Sequence, residues 1–201
     1  MLTSLAIVIF GSMLLEARRA SRNERALRAR GGVEPENDVY PVMRVAYPVA
    51  FAAMLTEGLA RGGAAQCLLE AGVVTFAAAK ALKWWAIRSL GPSWTFRVIA
   101  VPGSPLVVTG PYRVLRHPNY VAVMGELVGV ALMAGAEVAG PVATAVFGAL
   151  VLKRIAVEEQ TLGLTARRPP AASKRRGATT RDGKTVGYNT NGDAGSGSTS
   201  A

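Results

Sequence analysis

The 201-residue chain is half apolar, only 18% charged, and carries a formal net charge of +10, a mixture that fits several membrane spans better than one soluble core. Its single cysteine, Cys67, and single histidine, His117, exclude an internal disulfide, a multi-cysteine metal site and most zinc chemistry, so no metal site is expected. A basic surplus is an ordinary mark of nucleic-acid binding or of a solvated face, but here it is confined to alternate connections between apolar blocks, and no nucleic-acid partner is expected.

Apolar blocks fall at about 2–16, 45–60, 64–82, 120–136 and 138–152. Most are shorter than the roughly 20 residues of a perpendicular span, so flanking residues must help to cross the bilayer. The first block has no basic residue ahead of it and no small-residue cleavage site before Arg18, and reads as an uncleaved anchor. A basic connector then runs to Arg44, with Arg18, Arg19, Arg22, Arg25, Arg28 and Arg30 along it. A helical pair over 45–90 turns at Arg61-Gly62-Gly63, where Glu57 and Glu70 flank the turn. Cys67 is expected to pack in the core. Trp84, Trp85 and Trp94, with Arg88 and Arg97, bracket the interface as an aromatic belt.

A loop over 91–117, rich in Gly, Pro and β-branched residues, carries Arg97, Arg113 and Arg116 and leads to a second helical pair over 118–160 that turns at Gly135 to Pro141. Lys153 and Arg154 follow the last block, whereas the opposite connections hold only Arg61. With basic loops inside, the expected fold is all-α: a multi-pass protein of the cell membrane with five spans, its amino terminus outside and its carboxyl terminus cytoplasmic. Residues 1–166 form the embedded domain. From about Arg167 the composition turns to Arg, Pro, Gly, Ser, Thr and Asn, too poor in apolar surface to offset ordering entropy, and a disordered tail over 167–201 is expected.

The chemistry concentrates in Gly110-Pro111-Tyr112-Arg113-Val114-Leu115-Arg116-His117-Pro118-Asn119-Tyr120. Pro118 suits a first helical position and disfavours a helical His117, so a helix begins there. The free amides from Asn119 and Tyr120 onward and the charges of Arg113 and Arg116 then form an anion site. Taken singly, these residues describe no more than a positive-inside anchor, a proline helix start and an interfacial tyrosine.

As a set, the run resembles the signature of the isoprenylcysteine carboxyl methyltransferase and phospholipid methyltransferase superfamily, with its Gly-Pro-Tyr-Arg, Arg-His-Pro and Tyr before the penultimate span and a Glu-Glu pair after the last, here Glu158-Glu159. Ser21 to Arg25, Arg30 to Glu34, Tyr40 to Met43 and the stretch from Trp85 to Arg113 are similar to the bacterial branch associated with type III polyketide synthases; the likeness covers roughly 15–162. It implies an integral-membrane enzyme that uses S-adenosylmethionine to methylate a lipophilic small molecule or lipidated acceptor, with membrane lipids around it. It further implies that Arg116, His117, Pro118, Asn119 and Tyr120 border the cofactor and that Glu158 or Glu159 pairs with its amino group. The alternative for Glu158 is a surface pair with Arg154 one turn back, worth a few tenths of a kcal/mol. Beyond Glu159 the family continues with aromatic and Arg-x-Pro residues that close over the adenosine, a pattern that Gly163 to Pro170 follows only loosely.

Candidate catalytic residues are Glu126, Arg97 and Arg88. Glu126 lies about two turns after Pro118, where an ionised carboxylate among apolar residues needs a cavity or a partner, and it is expected to line the acceptor pocket. Arg88 or Arg97 would hold an acidic oxygen of the acceptor. Two other readings stand beside this one: an NADPH-dependent enzyme resembling membrane steroid reductases, which share a Pro-Asn-Tyr element, and a non-catalytic membrane protein or transporter. A soluble Rossmann-type methyltransferase is disfavoured by the lack of a Gly-x-Gly-x-x-Gly element.

Overall fold

The apolar blocks fold as five α helices: α1 Leu2–Ala29, α2 Tyr40–Arg61, α3 Gln66–Leu90, α4 Pro118–Ala134 and α5 Ala139–Thr161. The computed structural model describes residues 2–35 and 37–161, and no strand occurs among them; Val33 and Ala100 form only an isolated antiparallel bridge. The polar tail expected from Arg167 and the stretch Gly163 to Pro170 lie outside the described residues.

α1 is longer than its apolar block. It runs on through the arginines to Ala29, because Arg, Ala, Glu and Leu are strong helix formers and charge alone does not end a helix. What the sequence suggests is a connector is therefore the second half of one helix.

α3 and α4 lie against each other over most of their length, and glycines permit it. A Cβ on Gly72 would stand 2.7 Å from the Met133 nitrogen, one on Gly129 2.8 Å from the Phe76 nitrogen, and one on Gly125 2.9 Å from the Ala79 Cβ. Small residues at this spacing let two helix backbones approach, the packing mode of helices in lipid, where burial of apolar surface gives no drive. Phe51, Met54, Leu127 and Val130 fill the space between α2 and this pair and are fully buried.

α4 ends at Gly135, whose φ of 69° closes the helix in the left-handed conformation. The following turn is held from α2: both oxygens of Glu57 accept backbone N–H groups at the start of α5, from Val138 at 3.0 Å and Ala139 at 2.6 Å, and Arg61 pairs with Glu137. Glu57 thus caps the N-terminus of α5, beyond merely flanking a turn.

Tyr40–Arg61 and Ala139–Thr161 are long and apolar enough to cross a membrane. α4, with 17 residues, reaches only about 26 Å at 1.5 Å per residue, short of a core about 30 Å thick. Large apolar side chains, among them Ile7, Leu14, Leu59, Val74 and Leu152, face outward and exposed, as a lipid-facing surface requires. Cys67 is exposed as well, not packed in the core as its surroundings in the sequence suggest. Trp94 departs from the expected aromatic belt in the opposite sense: it is buried at 1% exposure, against Ala20 and Ile87.

Gly129→Val puts a branched side chain into the Phe76 backbone and is expected to cost about 1–3 kcal/mol or more, read as lower thermal stability and folded yield in detergent. Gly11→Val, where a Cβ meets nothing within 4 Å, is expected to leave both unchanged.

Candidate functional site

Pro118 is the first residue of α4 and His117 its N-cap, at φ −128° and ψ 61°. The helix start offers fewer amides than the sequence suggests. Tyr120 N–H donates back to the His117 carbonyl at 3.1 Å, and Val121 N–H does so at 3.3 Å. That leaves the Asn119 amide as the one the first turn presents. Arg113 is exposed, and the Arg116 side chain is 81% exposed.

The end of α5 comes to this helix start. Tyr120 Oη donates to Glu158 Oε2 at 2.7 Å, His117 Nε2 lies 3.3 Å from Glu159 Oε1, and Arg116 Nη1 lies 3.4 Å from the same oxygen. Glu158 therefore faces Tyr120, not Arg154. Tyr112 sits beside the pair, and burial, with the Glu158 charge adding to it, pushes its phenol well above the usual range, so that it stays a neutral donor.

Arg154 is the residue whose weight the sequence conceals. It is 4% exposed, and its guanidinium meets Asp38 Oδ1 at 2.5 Å, donates to the Phe96 carbonyl, and reaches Tyr120 Oη at 3.0 Å. Asp38 is itself fully engaged, accepting from Tyr40 N–H at 3.0 Å and Val98 N–H at 3.3 Å. One side chain on α5 thus fixes the start of α2, the 91–117 loop and the tyrosine that holds Glu158. Asn23 of α1 ties the same loop by donating to the carbonyls of Gly91 at 3.1 Å and Trp94 at 2.7 Å.

Two cavities meet at this point. One, of about 200 Å³, lies under the loop between the start of α4 and the end of α5 and is bordered by Arg116, His117, Asn119, Tyr120 and Glu158. The other, of about 540 Å³, is mostly apolar and lies among α1, α2, α4 and α5. Thr95, Asn119, Tyr120 and Arg154 line both.

Of the remaining candidates, Arg97 borders the smaller cavity but is already bound, 3.6 Å from Glu24, 3.4 Å from Glu34, and with its guanidinium 5.0 Å from the centre of the Tyr40 ring. Arg88 is exposed and lines neither cavity. Glu126 is buried but lines neither cavity itself: it is enclosed by Lys80, Lys83 and Tyr47. No cluster of metal-ligating side chains occurs among the described residues.

Residues 72–163 match the model of the Isoprenylcysteine carboxyl methyltransferase (ICMT) family. That stretch, a little under half of the chain, is similar to the ICMT family. It is also 28% identical over 144 residues to the uncharacterized protein YpbQ of Bacillus subtilis (strain 168), a match covering 71% of this chain and 85% of that one. A Haemophilus influenzae protein, likewise uncharacterized, is 22% identical over 142 residues, 70% of this chain and 83% of its own length. No solved structure matches the chain. The ICMT family assigns membrane methyl transfer at the level of the family. The matched stretch takes in most of α3, the loop, α4 and α5, and so both halves of the meeting point, whereas α1 and α2, which help to wall the larger cavity, precede it.

Arg154→Met strands Asp38 without its cation and is expected to destabilise the protein by about 3 kcal/mol or more, seen as a lower thermal midpoint in detergent. Arg116→Met, at an exposed ion pair, is expected to change it by less than about 0.5 kcal/mol.

Proposed function

We propose that this protein is an integral-membrane enzyme that transfers a methyl group from S-adenosylmethionine to an oxygen of a lipophilic acceptor, its five helices spanning the membrane with the amino terminus outside and the transfer site at the cytoplasmic face. The observation that carries the reading is the pair of cavities joined at Asn119, Tyr120 and Arg154, the smaller bordered by Arg116, His117 and Glu158 and the larger the more apolar of the two. A charged soluble cofactor and a greasy acceptor need such separate chambers with one shared wall. The basic residues of the 17–44 stretch, the 91–117 loop and the end of α5 fall at that same end of the helices, in keeping with the orientation.

The donor set fits the cofactor. Glu158 and Glu159 suit its ammonium, and the Asn119 amide, with the Arg116 and His117 side chains, suits its carboxylate. These groups already pair with one another or with Tyr120 across the site, and a zwitterion can insert between them with its charges paired. The cofactor supplies an electrophilic methyl on sulfur. Tyr120 and Arg154, on the shared wall, orient the acceptor oxygen in line with it, and the loop, with buried Trp94, excludes water.

A carboxylate acceptor arrives ionised. A phenol or enol must lose its proton, and among the lining residues the His117 imidazole is the candidate base; Glu126, behind its lysines, is not. The acceptor is a long-chain phenol or pyrone hydroxyl, with a prenylated cysteine carboxylate as the alternative class.

Detergent-purified protein is expected to bind S-adenosylmethionine in titration calorimetry, with His117→Ala and Glu158→Ala each weakening it at least about tenfold, as loss of a charge-assisted contact does. Unchanged affinity in both variants overturns the site. Binding of NADPH in place of S-adenosylmethionine overturns the cofactor. Labelled-methyl transfer in membranes supplied with each acceptor class then decides between the two.

A further inference from the structure

Charged side chains from α1, α3 and α4 meet inside the apolar blocks, and the transfer site uses none of them. Glu16 lies 2.9 Å from Lys80 and 2.7 Å from Lys83; Glu126 lies 3.2 Å from each lysine; Tyr47 Oη donates to Glu126 Oε2 at 2.7 Å. Glu16, Lys83 and Glu126 are each at most 2% exposed. The set is neutral, yet stability does not account for it, because a buried ionic set is commonly no more stabilising than apolar residues of the same volume.

Hydrogen-bonding capacity is left over. An ammonium has three donors, and the two carboxylates around Lys83 occupy two. Glu126 Oε1 is a buried oxygen without a hydrogen-bond partner among the described residues: Lys83 stands at ion-pair distance but not in line. Glu16, Lys83 and Tyr47 open onto the larger cavity, where most of the remaining wall near them is apolar, such as Phe10, Met13 and Phe147. Along α4, Glu126 is six residues beyond Tyr120, about 9 Å at 1.5 Å per residue.

We infer that this patch recognises a second polar function on the acceptor, an oxygen carried on the tail side of the atom that is methylated. A carbonyl or hydroxyl oxygen there accepts from Lys83 Nζ, whose side chain lines the cavity. A plain hydrocarbon tail leaves the Lys83 ammonium facing carbon with a donor unused, which selects against the acyl chains of the surrounding membrane and for an acceptor with a polar group in its body. The inference rests on reading this cavity as the acceptor chamber.

Binding, not turnover, tests it. The probes are meta-alkylphenols of one chain length: the plain compound and isomers bearing a single hydroxyl at successive tail carbons, each titrated into the detergent-purified full-length protein. One isomer is expected to bind about tenfold tighter than the plain phenol, as one hydrogen bond to a charged group provides. That advantage is expected to vanish in the charge-balanced Lys83→Met/Glu126→Gln variant, which leaves the Glu16–Lys80 pair in place, while S-adenosylmethionine binds as before. Equal affinity for every probe, or an advantage that survives in the variant, overturns the inference. Should the double variant fail to fold, Tyr47→Phe takes its place and must narrow the same preference. If no phenol binds while S-adenosylmethionine does, the second contact is wrong and the cofactor site stands; a preference without cofactor binding means the reverse.

Discussion

The guanidinium of Arg154 is the interaction on which the site depends. It is a buried cation among helices, and it is tolerable there because Asp38 supplies the opposite charge while the Phe96 carbonyl and Tyr120 hydroxyl use its other donors. Those partners come from the start of α2, from the loop and from α4. Satisfying one charge therefore draws three otherwise separate parts of the chain to the end of α5, and sets Tyr120 where it can hold Glu158. The geometry of the site is a by-product of paying for that burial.

A second constraint acts along the helix axes. α3 and α4 touch backbone to backbone at Gly72, Gly125 and Gly129, which fixes their register and hence the height at which Lys80 and Lys83 face Glu126. At the far end, Glu57 and Arg61 tie α2 to the α4–α5 turn. That end is thereby closed by polar contacts, and both cavities lie towards the other end of the bundle.

Much of this was legible in the sequence because it is local chemistry. Pro118 announces the start of α4, Gly135 its end, and the spacing of basic residues tells one set of connections from the other. The Arg-His-Pro run and the Glu-Glu pair declared the family, and the family-model match bears that out. What stayed hidden is tertiary. Asp38 and Arg154 are 116 positions apart, Glu16 and Lys80 64 apart, and nothing in either segment names its partner; Arg154 looked like an exposed neighbour of Glu158. The second half of α1 was misread as a connector because arginines suggest loops, whereas their backbone preference is helical. Trp94 was misplaced because the interfacial habit of tryptophan says nothing of a pocket made by Ala20 and Ile87.

The wall of the larger cavity is shared unevenly between parts of the chain. Its α4 and α5 side falls within the stretch that matches the family model, while α1 and α2 contribute from outside that stretch. A lineage can then diversify by altering its first two helices, reshaping that cavity, without touching the side chains where α4 and α5 meet. Paralogues built on such a plan would differ most near the amino terminus and handle chemically unlike greasy molecules with the same closing machinery.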